Sequence, residues 1–271
     1  MSLRPQILFG LSKAYSDWVE IITLKCNSNK NLICTDICDY NHIVILNPLV
    51  YIPLSISSIK KCIEILPKLE LLGIKCFCPN SIKILETFNN KKNFENFMLE
   101  FFNINIPRPI DLCNPTYPYL LKHIYGAGGS SIFPVSTNQE HNFYMKNKEY
   151  YVKEYVAQEY IKSPNYIVCQ YAVESGKVIY KEFYNSDLLN ISNEPIVIMR
   201  KILKSFTRPK NLDDSNIIKI FEKLNYTGFA CVDCTIKDGE WKLYEINPRV
   251  GGTMMNHTLD KFINKLIEFY C

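Results

Sequence analysis

The chain has 271 residues, enough to bury one large core or two small ones. Its 47% hydrophobic and 21% charged residues exclude a disordered chain, and a net charge of +4 is too mild an excess to point to nucleic acid. The opening segment MSLRPQILFGLSK lacks the long apolar core of a signal peptide, and the most apolar window, HIVILNPLVYIPLSI, is broken by Asn47, Pro48 and Pro53, so a cytoplasmic protein away from membranes is expected.

The first third reads as alternating strands and helices. NHIVIL is a short apolar run that reads as a strand, SISSIKKCIEILPKLELLG as a helix ending at Gly73, and IKCFCP as another strand. NSIKILETF starts a helix with Asn80 or Ser81 as its cap. This alternation predicts a small parallel α/β domain over 1–86. NKKNFENFMLEFFNINIPRP then gives an amphipathic helix closed by Pro107 and Pro109. Beyond it the runs YLLKHI, SIFPV, YVAQEYI, YIVCQYAV and KVIYKEFY carry antiparallel signals. DSNIIKIFEKLNYTG is a capped helix ending near Gly228, and TLDKFINKLIEFYC is a last helix. The whole reads as α/β followed by α+β, with a second domain over 87–271.

Between those last two helices lies the stretch CVDCTIKDGEWKLYEINPR. FACVDCTI and EWKLYEIN flank Lys237-Asp238-Gly239, and Asp-Gly between two such runs is a hairpin signal. A two-residue loop would set Asp233 opposite Tyr244 and send Glu245 to the other face. A three-residue loop with Gly239 in the left-handed region brings Asp233, Glu245 and Asn247 to one face and leaves Ala230, Val232, Cys234, Ile236, Tyr244 and Ile246 for the core. The apolar pattern favours the second register. Two carboxylates and an amide oxygen are hard ligands that suit magnesium. An ordinary solvated hairpin face is the alternative.

A second constellation is YLLKHIYGAGGSSIFPV, in which Lys122 on a strand precedes Gly126, Gly128 and Gly129. Glycines let a backbone approach phosphate and offer its N–H groups. No Gly-Lys-Ser/Thr follows and a strand, not a helix, comes next, so this is neither a P-loop nor a dinucleotide fingerprint. The 11 cysteines show no disulfide framework, and Cys231 and Cys234 would point to opposite faces of a strand, which argues against a shared metal. The histidines, His42, His123, His141 and His257, form no cluster along the chain.

These pieces, in this order, resemble the ATP-grasp superfamily over roughly residues 87 to 260. NKKNFENFMLEFFNINIP is similar to the family's opening helix, with Asn90 where an Asp is usual, and YEINPRVGG is close to its Glu-Ile/Met-Asn-x-Arg signature. The resemblance implies a small α/β domain followed by a two-lobed ATP-grasp fold. It implies that Lys91 and Lys122 bind nucleotide phosphates under a flap bearing Gly128 and Gly129, that Gln158 lies near the adenine amino group, and that Glu159, Tyr160 and Ile161 offer backbone contacts to the base. Asn165 stands where many members place a ribose-binding Glu, so that contact loses its charge. Asp233, Glu245 and Asn247 match the family's Mg²⁺ ligands, which Mn²⁺ can replace, and Arg249 would grip an acyl-phosphate or a substrate carboxylate. Arg200, Lys201 and Lys204 are basic candidates for phosphate contact in a region that aligns poorly. The implied activity is ATP-dependent joining of a small-molecule carboxylate to an amine through an acyl-phosphate, with catalytic roles for Arg249 and Lys122. A kinase of the same fold and a non-catalytic nucleotide-binding module are the alternatives. No substrate and no oligomeric state is named by the sequence.

Overall fold

The computed structural model describes residues 6–102, 106–126, 131–162, 165–187, 213–237 and 240–270. The chain begins with β1 (Ile7–Gly10), α1 (Ser16–Ser28), β2 (Leu32–Thr35), α2 (Tyr40–Leu46), β3 (Val50–Pro53), α3 (Ile56–Leu71), β4 (Lys75–Cys76) and α4 (Ile82–Asn89). The four strands form a parallel sheet in the order β2-β1-β3-β4. Both of its faces are buried, as parallel sheets require. Ile7, Phe9, Val50 and Ile52 pack on one side, and Leu8, Tyr51, Ile43 and Ile59 on the other.

NHIVIL is not a strand but most of α2. Its caps decide the matter: the Asp39 side chain accepts the His42 N–H at 2.9 Å, and Asn47 closes the helix in the left-handed region at φ 44°. Only Ile43 of this helix is buried. The buried strand is the next apolar run, VYIP. The sequence reading separates none of β1, α1, β2 and β3, although Trp18 and Ile22 of α1 help fill the core.

Then follow α5 (Lys91–Phe101), β5 (Tyr119–His123), β6 (Ile132–Val135), α6 (Asn138–Met145), α7 (Lys148–Glu154) and β7 (Tyr155–Glu159). The Asn90 side chain caps α5 by accepting the N–H groups of Lys92 and Asn93 at 2.9 and 3.1 Å. It thus fills the capping role open to an Asp. Strands β6-β5-β7 form a small antiparallel sheet, and α6 and α7 between β6 and β7 are additions to the predicted order.

The last part holds β8 (Asn165–Glu174), β9 (Lys177–Asp187), α8 (Ser215–Leu224), β10 (Gly228–Lys237), β11 (Glu240–Asn247), α9 (Gly252–His257) and α10 (Leu259–Tyr270). Its antiparallel sheet runs β11-β10-β8-β9. Helix α8 ends at Asn225 in the left-handed region, earlier than the expected stop near Gly228. One face of the sheet buries Ala230, Val232, Cys234, Leu243 and Ile246 against Phe88, Phe94, Met98 and Phe221 of α4, α5 and α8. The other face is left for a site. Helix α10 does not cap this sheet alone. Its Phe262, Ile263 and Leu266 join Phe229 and the Ile7, Phe9 face of the parallel sheet in one core. Among the described residues no helix is long and apolar enough to cross a membrane.

Candidate functional site

Strand β10 sets Asp233 directly opposite Glu245 of β11. The way it does so differs from expectation. Lys237 pairs with Glu240, so only two residues, Asp238 and Gly239, stand between the strands, and both lie outside the described residues. The expected odd-numbered loop is therefore wrong. The parity changes instead at a β-bulge: Cys234 pairs with Leu243 and Asp233 with Glu245, which leaves Tyr244 as the extra residue. Leu243 consequently joins the core in place of Tyr244, and Glu245 turns to the face that carries Asp233.

The acids are tied together. Asn247 donates Nδ2 to Asp233 Oδ2 at 3.1 Å and to Glu245 Oε1 at 3.0 Å. Lys91 Nζ, at the start of α5, lies 3.0 Å from Glu245 Oε2 and donates to the Gly126 carbonyl at 2.5 Å. Tyr166 of β8 hydrogen-bonds Asp233 through its phenol. Its ring stacks on Tyr244 with centroids 6.1 Å apart and planes 17° from parallel. Lys122 on β5 is buried, with Nζ 5.2 Å above the Tyr244 ring.

This crowding has electrostatic consequences. Burial, reinforced by the charge of Glu245, pushes the Asp233 carboxyl up to about 7. Burial also works against ionisation of Glu245, but the Lys91 ammonium, the Asn247 amide and Lys122 outweigh it and hold that carboxyl below its ordinary range. Burial draws Lys122 down to about 8 despite the nearby Glu245. Two close carboxylates, one of them resisting ionisation, form a donor set that a hard divalent cation would relieve, and magnesium fits that chemistry. As a third ligand, Asn247 would have to turn its amide and present Oδ1 in place of Nδ2.

The remaining candidates spread from this centre. Gln158 of β7 is buried, and its Nε2 donates to Glu95 Oε2 at 2.8 Å. Glu95 stands one helical turn past Lys91 on α5, with burial pushing its carboxyl up and Gln158, Lys122 and Lys92 opposing that. The N–H groups of Glu159 and Tyr160 already donate to the carbonyls of Arg108 at 2.8 Å and Pro118 at 3.4 Å, so neither is the donor that a base would use. Ile161 is buried beside them. Arg249 follows the hairpin, its guanidinium 5.7 Å from the Tyr15 ring and 5.6 Å from the Trp18 ring, with Nη1 donating to the Val250 carbonyl at 3.1 Å. The signature arginine thus meets α1 of the first sheet.

Gly128, Gly129, Arg200, Lys201 and Lys204 lie outside the described residues, as does the side chain of Asn165. Cys231 and Cys234 do face opposite ways: Cys231 accepts from Gln170 Nε2 at 3.0 Å, while Cys234 sits in the core beside Cys169. His141 is buried and bonds the Tyr119 hydroxyl at 2.8 Å, a packing role. Three residues of the site escaped the sequence reading. Glu95 carried a signal, its four-residue spacing from Lys91. Tyr166 and Tyr244 carried none, because their places depend on strand pairing and on the bulge.

Comparison with protein families matches residues 88–253, more than half of the chain, to the ATP-grasp domain. A protein of Methanocaldococcus jannaschii described as uncharacterized is 27% identical over 187 residues, which take in 63% of this chain and 43% of that protein. The match thus spans less than half the length of that relative. Among solved structures, D-alanine–D-alanine ligase from Bacillus anthracis has a TM-score of 0.63 at 16% identity, covering 98% of this chain and 97% of that one. Biotin carboxylase from Campylobacter jejuni, in a complex with a nucleotide, gives 0.61 at 14% identity, covering 98% and 71%. N5-carboxyaminoimidazole ribonucleotide synthetase from Thermotoga maritima gives 0.56 at 15% identity, covering 93% and 70%. At these identities the likeness is one of fold.

Proposed function

The chain belongs to the ATP-grasp domain family, and from that premise we propose that it is an ATP-dependent ligase that joins a small-molecule carboxylate to an amine. The observation that carries this reading is the convergence of Lys91, Lys122, Asp233, Glu245 and Asn247 on one cleft face, drawn from a helix and two separate sheets. Cations beside a pair of carboxylates make a place for a metal-bound polyphosphate.

The roles divide as follows. Asp233, Glu245 and Asn247 would hold magnesium, which when bound offsets the charge of the phosphates. Lys91 and Lys122 neutralise phosphate oxygens. Lys122 has the means to do so at little solvation cost, since its amine is already out of water. The substrate carboxylate attacks the terminal phosphorus, the bond to the bridging oxygen breaks, and ADP leaves. The amine nitrogen then attacks the acyl carbon of the acyl-phosphate, phosphate departs, and the nitrogen loses a proton. Arg249 holds the carboxylate or acyl-phosphate, with Tyr15 and Trp18 fixing its plane. The same reading divides the chain into an N-terminal unit, 1–86, that shapes the substrate end, and an ATP-grasp unit, 87–271. A cytoplasmic setting belongs to the reading as well.

The test is a matrix of amino acids and small carboxylates against amines, with ADP and inorganic phosphate measured together. Equal release of both, dependent on carboxylate and amine together, is expected. ADP with a stable phosphorylated product and no free phosphate would make the protein a kinase instead.

A further inference from the structure

Beside Lys91 and Lys122 stands a pair with no role in phosphate or metal chemistry. Gln158 is 3% exposed, and its Nε2 is taken by Glu95. Its Oε1 is buried and accepts no hydrogen bond among the described residues. Leaving a buried acceptor unmatched is costly, so the arrangement asks for a donor from outside the chain.

The place is also fixed. Leu120 stands opposite Gln158 and Lys122 opposite Val156 in the β5–β7 ladder, so Gln158 and Lys122 share one face of that sheet. Lys91 and Glu95 share one face of α5, the first reaching Glu245 and the second Gln158. A ligand with its phosphates at Lys91 and Lys122 therefore has a buried amide within the same cleft. A primary amide is two-faced and can offer either its oxygen or its nitrogen. Glu95 removes the choice. Its Oε2 accepts from Nε2 at 2.8 Å, and although burial pushes the Glu95 carboxyl up, the bond from Gln158 and the ammonium groups of Lys122 and Lys92 oppose that and favour the accepting form. It draws Nε2 toward α5 and leaves Oε1 as the atom on offer.

Resting on the nucleotide reading above, we propose that Glu95 is a positioning residue that sets the Gln158 amide as an acceptor and thereby selects a 6-aminopurine nucleotide over a 6-oxopurine one. The amino group of the first donates to Oε1. The oxygen of the second would meet it acceptor to acceptor.

The test is competition of ATP and of GTP, each with magnesium, against a fluorescent ADP analogue on the full chain, read as the ratio of the two dissociation constants. The unaltered protein is expected to prefer ATP by about tenfold or more, the worth of one hydrogen bond plus the clash avoided. In Glu95→Gln the amide at 95 can donate or accept, Gln158 is free to turn, and the ratio should fall to about threefold or less. Gln158→Leu, apolar and of similar size, should bring the ratio close to one even if the first variant folds poorly. A general loss of stability would weaken both nucleotides together and leave the ratio alone. An unchanged ratio in both folded variants overturns the proposal, as does a protein that binds ATP and GTP equally. If the unaltered protein binds neither nucleotide, it is the nucleotide reading that fails.

Discussion

Asp233 and Glu245 face each other directly across β10 and β11, and they do so because Tyr244 bulges out of the ladder between Leu243 and Glu245. The bulge lets one strand send Leu243 into the core and Glu245 to the face that carries Asp233, two residues apart, where plain alternation would have put both on one side. The same residue places its ring under the Lys122 amine and against Tyr166. The first three of the following expectations depend on this geometry.

Glu245→Gln should abolish metal-dependent turnover and weaken Mn²⁺ binding at least about 100-fold, as loss of a ligand does more than loss of its supports. Stability of the ligand-free chain should fall, because the substitution leaves the poorly exposed Lys91 ammonium without its carboxylate and relief of the repulsion on Asp233 offsets only part of that loss. Electron paramagnetic resonance of bound Mn²⁺ and a thermal melt check both parts. Undiminished Mn²⁺ binding would remove the metal assignment.

Tyr166→Phe deletes only the phenol that bonds Asp233. The expected result is roughly tenfold weaker Mn²⁺ binding, with nucleotide affinity in the absence of metal unchanged. The metal affinity is the quantity to measure, and equal values for both proteins would mean that Asp233 needs no such support.

Lys122→Met should stabilise the protein without ligands while impairing nucleotide binding. The amine is lowered from an ordinary 10.5 to about 8 by burial, so in the folded state its charged form is disfavoured by about 3 kcal/mol at neutral pH, an upper bound. The sign follows from the depressed value: the cost is fully present below pH 8 and disappears as pH rises through about 8 to 10.5, where the unfolded chain also loses the proton. The stability gain of the variant should therefore be largest near pH 7 and shrink toward zero by about pH 10.5. Denaturant melts of both proteins at several pH values give this difference directly. A gain independent of pH would show that the ammonium is not the source of the cost.

Phe262→Ala should destabilise the whole chain by about 3–5 kcal/mol, because its ring is fully buried and packs 4.4 Å from the Phe229 ring in the core that α10 shares with the first sheet. Calorimetry should show one transition moving as a unit. Two transitions, with only one displaced, would mean that the two parts fold apart.

Much of this molecule is written locally. The caps Ser81 and Asn90, the apolar stripe of α5 and the alternating runs of β8 to β11 each declare their element within a few residues. The pairing of Asp233 with Glu245 was legible only in outcome: both acids were placed on one face, but through a loop, since a bulge leaves no mark in the composition of a strand. NHIVIL reads as a strand because a short apolar run carries too little helical period, whereas the Asp39 and Asn47 caps that flank it make it a helix. The roles of Glu95 and Tyr166 arise from contacts between residues 63 and 67 positions apart in the chain, Glu95 with Gln158 and Tyr166 near the level of Asp233, and no local pattern encodes them.

The central claim is that this cleft binds ATP with magnesium, and isothermal titration of the unaltered chain with Mg-ATP tests it most directly. The account predicts saturable binding of one nucleotide per chain in the micromolar to millimolar range, weakened when Lys91 or Lys122 is replaced by methionine. Absence of any binding heat or displacement at millimolar Mg-ATP, from a chain shown to be folded, would contradict it.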